Sequence, residues 1–165
     1  MAGRLTESTR AFREAFSSKG LRRLQLALAG SVIGDWAFSV ALAVYAYEAG
    51  GAKAVGLLAL ARWTLAAFAA PFLSVLADRY RRRSVMLASD SIRLLATAGA
   101  AVAVWTSAPA VTVYAAALIV TAVSTAFQPA QTALLPSLTS SPEQLTAANV
   151  VTSTIESVGT FLGPA

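Results

Sequence analysis

Five apolar runs separated by short polar connections dominate this sequence. The runs cover approximately residues 24–47, 55–76, 85–105, 111–134 and 145–165. Each run is close to the ~20 residues that a helix needs to cross a bilayer. Because 56% of the chain is hydrophobic and only 13% is charged, a soluble fold would lack the polar faces to cover such runs. We therefore predict an all-α membrane protein in which residues 24–165 form a transmembrane bundle of about five helices.

The distribution of lysine and arginine predicts how the helices are oriented. The N-terminal segment, residues 1–23, carries six of them, and the connection between the second and third runs carries four, whereas Lys53 is alone in the first connection and the third has none. Short loops rich in lysine and arginine remain in the cytoplasm. We expect a multi-pass protein of the plasma membrane, as in a bacterial inner membrane, with residues 1–23 as a basic cytoplasmic segment.

The absence of two residue types argues against several functions. The chain contains no cysteine and no histidine, so it lacks a nucleophilic thiol and the commonest metal ligand and general base. We expect no catalytic residues, no metal site and no cofactor. The net charge of +5 comes from basic residues at the ends of apolar runs, which indicates membrane lipids as partners and not nucleic acid.

The connection between the second and third runs carries a recognisable motif. The segment reads SVLADRYRRR over residues 74–83, with an acidic residue at a predicted helix end followed by a dense basic turn. It resembles the signature of the major facilitator superfamily, G-x-L-a-D-r-x-G-R-R/K. The positions that match are Asp78, Arg79, Arg82 and Arg83. Ser74 and Arg81 replace the two glycines of the pattern, and arginine enters left-handed turn conformations less freely than glycine.

Two further segments extend the resemblance along the chain. The stretch FQPAQTALLP over residues 127–136, followed by Leu145 and Ala148-Asn149, is similar to the fourth-loop region of the drug and siderophore exporter branch. Gly159, Gly163 and Pro164 have the spacing G-x-x-x-G-P, which is similar to the antiporter motif on helix five. The three motifs occur in the family's order and on the matching runs.

The resemblance implies an architecture and a set of roles. Members of the superfamily have two six-helix bundles, with substrate bound between them and alternating access by rocking. The chain then supplies most of one bundle, and we expect it to be a fragment, truncated within or at the end of the fifth span, whose partner is the C-terminal half of the same transporter. Asp78, with Arg79, Arg82 and Arg83, is implied to be a conformational latch, and Gly159, Gly163 and Pro164 to be gating and packing residues.

Three ionisable residues are predicted to lie deep within the membrane. Charged side chains at this depth face protein or water and mark functional sites. At 1.5 Å per residue, Asp35 and Glu156 both lie about 16 Å from the cytoplasmic ends of their runs, so we expect them at one level. Arg62 enters from the outer side, and its long side chain could reach Asp35. An Asp35–Arg62 pair would line the substrate cavity or serve only in assembly.

Two other observations complete the set of candidate residues. Glu156 is the candidate for proton coupling, because a carboxyl group in apolar surroundings can be neutral in one conformation and charged in another. Asp90 and Arg93, spaced i,i+3 near the cytoplasmic end of the third run, can pair with each other or with the basic turn around Asp78.

Three functions compete for this sequence. The first is a secondary transporter that exports a small organic solute with proton coupling. The second is an integral membrane enzyme acting on lipid head groups, since Asp78 and Asp90 flank an arginine-rich turn, although the chain lacks the usual catalytic groups. The third is a small membrane scaffold. The motifs favour the transporter, and they do not identify its substrate.

Overall fold

Helices account for nearly all of the residues that the structure describes. The computed structural model describes residues 19–162, without the side chains of residues 76–78, 128 and 162. A helical stretch, Lys19–Arg79, is interrupted at Gly50 and Gly51, which divides it into α1 (residues 19–49) and α2 (residues 52–79). The helices that follow are α3 (Arg82–Trp105), α4 (Ala110–Leu138) and α5 (Pro142–Leu162). No strand occurs between residues 19 and 162, and the predicted all-α helical bundle is confirmed.

The break between α1 and α2 depends on glycine. Gly51 has φ 67° and ψ −164°, a combination that only a residue without Cβ adopts easily. An uninterrupted helix over the apolar stretch Lys19–Val75, which has 57 residues, would be about 85 Å long, far beyond a bilayer core of about 30 Å. The Gly50–Gly51 break therefore converts one stretch into two helices of membrane-spanning length.

The turn between α2 and α3 does not need the glycine that the family pattern has there. Arg81 lies in extended conformation, with φ −60° and ψ 119°, which any residue adopts. Its carbonyl accepts hydrogen bonds from the backbone N–H groups of Ser84 (2.8 Å) and Val85 (3.1 Å), and so begins α3. Replacement of the motif glycine by arginine is thus compatible with a tight turn.

The start of α5 is fixed by its own side chains. Ser141 precedes Pro142, the first helical residue, and accepts a hydrogen bond from the backbone N–H of Gln144 (3.2 Å). The Gln144 Oε1 in turn accepts from the backbone N–H of Ser140 (2.6 Å), so both side chains satisfy backbone donors at the helix end. Glu143, outside the predicted span, has a lowered pKa because its carboxylate accepts a backbone hydrogen bond and one from Ser141.

Three stretches of the described chain are long and apolar enough to cross a membrane. They are Lys19–Val75, Arg82–Trp105 and Ala110–Leu138. The first of these contains α1 and most of α2, so four helices meet the requirement. α5 has the length, but it carries many hydroxyl and amide side chains and is not among these stretches. A fifth span over residues 145–165 therefore remains a prediction, and its residues 163–165 lie outside the described part.

Large apolar side chains cover much of the surface. Trp63 is 78% exposed, Phe72 76% and Leu95 72%, although a soluble protein would bury most such residues. Trp105, at the end of α3, is 87% exposed, as is common for tryptophan at a membrane–water interface. This surface is suited to lipid and supports a multi-pass membrane protein.

The chain divides into two units. The first comprises residues 19–40 and 135–162 of the described chain, and the second comprises residues 41–134. In the first unit, α1 and α5 bury the side chains Leu21, Leu24, Gln25, Leu28, Ala147, Ala148 and Val151. In the second unit, α4 supplies most of the buried residues, including Val113, Ala117, Val120 and Phe127.

Within the first unit, α1 and α5 run parallel. Gln25, only 1% exposed, donates its amide to the carbonyl of Ala148 (3.0 Å) and to Oγ1 of Thr152 (3.2 Å). Two to three turns further along, Val32 and Trp36 lie against Gly159. Residue numbers rise together along both helices, as expected for the first and fifth members of an alternating series.

Within the second unit, α3 and α4 run antiparallel. Arg82 at the start of α3 donates Nη1 to the carbonyl of Ala133 (2.6 Å). Further along α3, the Arg93 guanidinium carbon lies 5.8 Å from the centre of the Phe127 ring. The numbers rise along α3 while they fall along α4, as is usual for two helices joined by a short connection.

Gly159 is the position where substitution tests the α1–α5 contact. A Cβ at Gly159 would collide with Cγ1 of Val32 and lie 3.4 Å from the Trp36 indole. We expect Gly159→Ala to destabilise the protein by about 1–3 kcal/mol, because overpacking separates the helices. Thermal unfolding in detergent micelles measures the loss as a lower midpoint.

The matched control for this substitution is Gly99→Ala on α3, where nothing lies within 4 Å of the added Cβ. It should leave the midpoint unchanged or raise it slightly, since alanine favours helix. Equal midpoints for the two variants would contradict close α1–α5 packing at Gly159.

Candidate functional site

Arg62 is held against α4. Its Nε donates to Oγ1 of Thr121 (2.9 Å), and that hydroxyl donates to the carbonyl of Ala117 (2.9 Å). The side chain of Arg62 is half-buried, so the guanidinium is partly withdrawn from solvent and has a fixed polar contact. A charge from α2 is thereby placed beside α4, a helix that has no charged residue of its own.

Asp35 and Glu156 are both half-buried in the first unit. Gln25 lies opposite the turn from Ala148 to Thr152, and Gly159 lies opposite the turn from Val32 to Trp36. With this register Glu156 is level with Ser31, one turn before Asp35, which is roughly 6 Å along the axis. The two carboxylates are therefore offset by one turn along the helix axes, and their common depth in the membrane remains a prediction.

The expected Asp35–Arg62 pair joins residues of different units. Both residues engage in polar interactions, and the contact resolved for Arg62 is with Thr121. The pair itself remains a prediction.

Asp90 and Arg93 come together on one face of α3. Arg93 Nη1 lies 3.6 Å from Asp90 Oδ1, and the Arg93 side chain is only 12% exposed. The guanidinium also lies over the ring of Phe127, a favourable cation–π arrangement. The i,i+3 pair that the sequence allowed is therefore present in the structure.

The latch motif occupies the turn between α2 and α3. Arg79 ends α2, and Arg82 and Arg83 are in the first turn of α3, all three exposed. Arg82 reaches the end of α4 through the Ala133 carbonyl. The side chain of Asp78 lies outside the described part of the structure, so its role as a latch remains a prediction.

The antiporter motif on α5 is only partly described. Gly159 makes the close contact with α1 that a packing role requires. Gly163 and Pro164 lie outside the described residues, and the gating role of the motif remains a prediction.

Two features of the first unit were missed from the sequence. A cavity of about 440 Å³ opens between α1 and α5, lined by Val32, Ile33, Trp36, Thr154, Ile155 and Val158 among others. A second cavity, of about 760 Å³, follows the outer face of α5 and is lined by residues such as Thr146, Asn149, Ser153 and Ser157. The four-residue spacing of 149, 153 and 157 was a readable signal, because such residues share a helix face.

These helices, their lipid-suited surface and their half-buried charges define a multi-pass membrane protein built as an α-helical bundle. Residues 24–165 match the family model of the Major Facilitator Superfamily. No curated protein and no solved structure matches the chain. The chain belongs to the major facilitator superfamily, and this membership supports a membrane transporter in general.

Removing the acceptor of Arg62 tests how α2 and α4 are joined. Thr121→Val deletes the hydroxyl that Arg62 contacts while it keeps the shape of the side chain. We expect a loss of about 1–3 kcal/mol, because the partly buried guanidinium loses a hydrogen bond. The unfolding midpoint in micelles measures the change.

Thr125→Val provides the matched control one turn further along α4. The Thr125 hydroxyl donates only to the carbonyl of Ala122 (2.6 Å), so its removal should cost less. A larger effect at Thr125 than at Thr121 would contradict a stabilising contact with Arg62.

A second pair of variants distinguishes the structural roles of two arginines of the motif. Arg82→Gln removes the donor to Ala133, whereas Arg83→Gln changes a neighbouring exposed arginine with the same loss of charge. We expect faster amide hydrogen exchange over residues 134–138 only in Arg82→Gln, because that contact restrains the end of α4. If the amides of residues 134–138 exchange at the rate of the unmodified protein in both variants, the contact between Arg82 and Ala133 does not restrain the end of α4.

Proposed function

We propose that this protein is a secondary transporter that exports a small organic solute across the plasma membrane by alternating access coupled to protons. In this proposal the membrane is a bacterial inner membrane, and the N-terminus is cytoplasmic. Family membership supports transport over the enzyme and scaffold alternatives, because members of the family are transporters. Direction and coupling are supported by the residues discussed next.

The observation that carries the proposal is a set of charges held inside apolar helices. Arg62 is fixed to Thr121 on α4, and Asp35 on α1 and Glu156 on α5 are half-buried. Charges are retained at such positions when they face a protein interior or a water-filled path. A transport pathway provides that environment.

Glu156 is the residue we assign to proton coupling. It is adjacent in sequence to Ile155, which lines the cavity with α1, and to Ser157 on the hydroxyl-bearing face of α5. In this proposal its carboxyl group takes up a proton in one conformation of the transporter and releases it in the other. Proton uptake on one side of the membrane and release on the other would then drive solute in the opposite direction.

Asp78 is the residue we assign to the latch. It lies in the last turn of α2, next to the arginine-rich connection. A carboxylate there would be stabilised by the positive N-terminal end of a helix in the other bundle, and the contact would form in one conformation and break in the other. The arginines of the connection bind anionic lipid at the cytoplasmic surface in either state.

Transport in proteoliposomes tests the coupling role. The full-length protein is reconstituted, a pH gradient is imposed, and transport of a panel of small organic solutes is followed. We expect Glu156→Gln to lower gradient-driven transport at least about tenfold, since the amide cannot release a proton. Exchange of labelled for unlabelled solute without a gradient should continue, because it needs no net proton movement.

Glu143→Gln is the matched control, because Glu143 is also on α5 but exposed in its first turn. This variant should transport normally. Gradient-driven transport that is equal in Glu156→Gln and the unmodified protein would remove Glu156 from the mechanism.

A further inference from the structure

The two cavities of the first unit adjoin each other along α5. Thr154 and Val158 line both of them, so a single molecule can extend from the space between α1 and α5 onto the outer face of α5. The space between α1 and α5, with a volume of about 440 Å³, is in the range of sites for small organic molecules, and the second space is open and formed by α5 alone.

The cavity between α1 and α5 is apolar with one aromatic wall. Trp36 lies beside Gly159, where the absence of a Cβ leaves room for the indole, and Val32, Ile33 and Ile155 supply aliphatic surface. Such a pocket takes an apolar or aromatic group, which can stack on the indole ring.

The outer face of α5 has the opposite character. Asn149, Ser153 and Ser157 are exposed along one helix face, with successive positions about 6 Å apart along the axis. Within the described residues their side chains have no hydrogen-bond partner, whereas Thr154 donates to the carbonyl of Val150 (2.7 Å). Lipid cannot satisfy these groups, so in a membrane they face water or a polar ligand.

Charge is lacking on both surfaces. The residues that line the two cavities include no aspartate, glutamate, lysine or arginine. An ionic ligand would leave its charge without a partner there, at a large cost in desolvation.

We propose that α1 and α5 form a binding site for an uncharged amphipathic solute, with an aromatic part against Trp36 and a hydrogen-bonding part along Asn149, Ser153 and Ser157. This inference rests on the proposed function and names the class of solute that the transporter carries.

Fluorescence of Trp36 tests binding directly. Trp63 and Trp105 are strongly exposed and line neither cavity, so Trp63→Phe with Trp105→Phe leaves Trp36 as the single emitter in the described residues. The full-length protein in nanodiscs is titrated with methylumbelliferyl glucoside, whose coumarin accepts energy from tryptophan and whose sugar is neutral and hydroxyl-rich. Methylumbelliferyl phosphate has the same aromatic group with a charged ester in place of the sugar.

We expect saturable quenching by the glucoside and at least tenfold weaker quenching by the phosphate. Ala37→Phe, which fills the apolar cavity, and the double variant Ser153→Ala with Ser157→Ala should each weaken glucoside binding at least about fivefold. Ala98→Phe and Thr97→Val, at exposed positions of α3, are the matched controls and should bind normally.

Three results would overturn the proposal. The first is that the phosphate binds as tightly as the glucoside. The second is that the double-serine variant of α5 binds the glucoside as tightly as the α3 controls do. The third is that phospholipids brominated in their acyl chains quench Trp36 and that the glucoside does not relieve this quenching. The last result would assign the cavity to lipid.

A transport assay with the same glucoside separates this inference from the proposed function. Binding that follows the expected pattern without export would support the site and remove the exporter. If the Ala37→Phe and double-serine variants still export the glucoside and bind it with unchanged affinity, the proposed exporter function stands and the proposed α1–α5 binding site is wrong.

Discussion

A polar group inside a bilayer must be bonded within the protein or must face water, and this constraint organises the structure. Gln25 is buried and bonded to α5, Arg62 is bonded to Thr121, and Arg93 has Asp90 and the Phe127 ring. Gln131 of α4 is the contrasting case, buried with no hydrogen-bond partner for Oε1 within residues 19–162. The exposed amide and hydroxyl groups of α5 follow the same constraint, and a water-filled path satisfies it.

The contact between α1 and α5 combines packing with polarity. At one end, the Gln25 amide fixes the register through Ala148 and Thr152. At the other end, Gly159 allows Val32 and Trp36 to approach the α5 backbone. A hydrogen bond alone would permit the helices to separate at Gly159, and close packing alone would permit them to slide. Together they hold one face of α5 against α1 and leave its polar face exposed.

Much of this fold is readable from the sequence, because bilayer thickness ties helix length to apolar run length. The apolar runs coincide with α1 to α4 within a few residues at each end. The roles of Thr121 and of the Ala133 carbonyl were not predictable, since they depend on which helices become neighbours. The register between α1 and α5 was not predictable either, because it depends on the contacts that Gln25 and Gly159 make between the two helices.

Cysteine accessibility along α5 tests the central claim, that its polar face lines a water-filled path, most directly. The sequence contains no cysteine. A single cysteine introduced in place of Asn149, Ser153, Ser157 or the buried Val151 can therefore be labelled without a signal from another thiol of this sequence. The account predicts that a membrane-impermeant thiol reagent labels the first three in the protein in membranes and spares the cysteine at 151. Cysteines at 153 and 157 that are as unreactive as the one at 151 would contradict it.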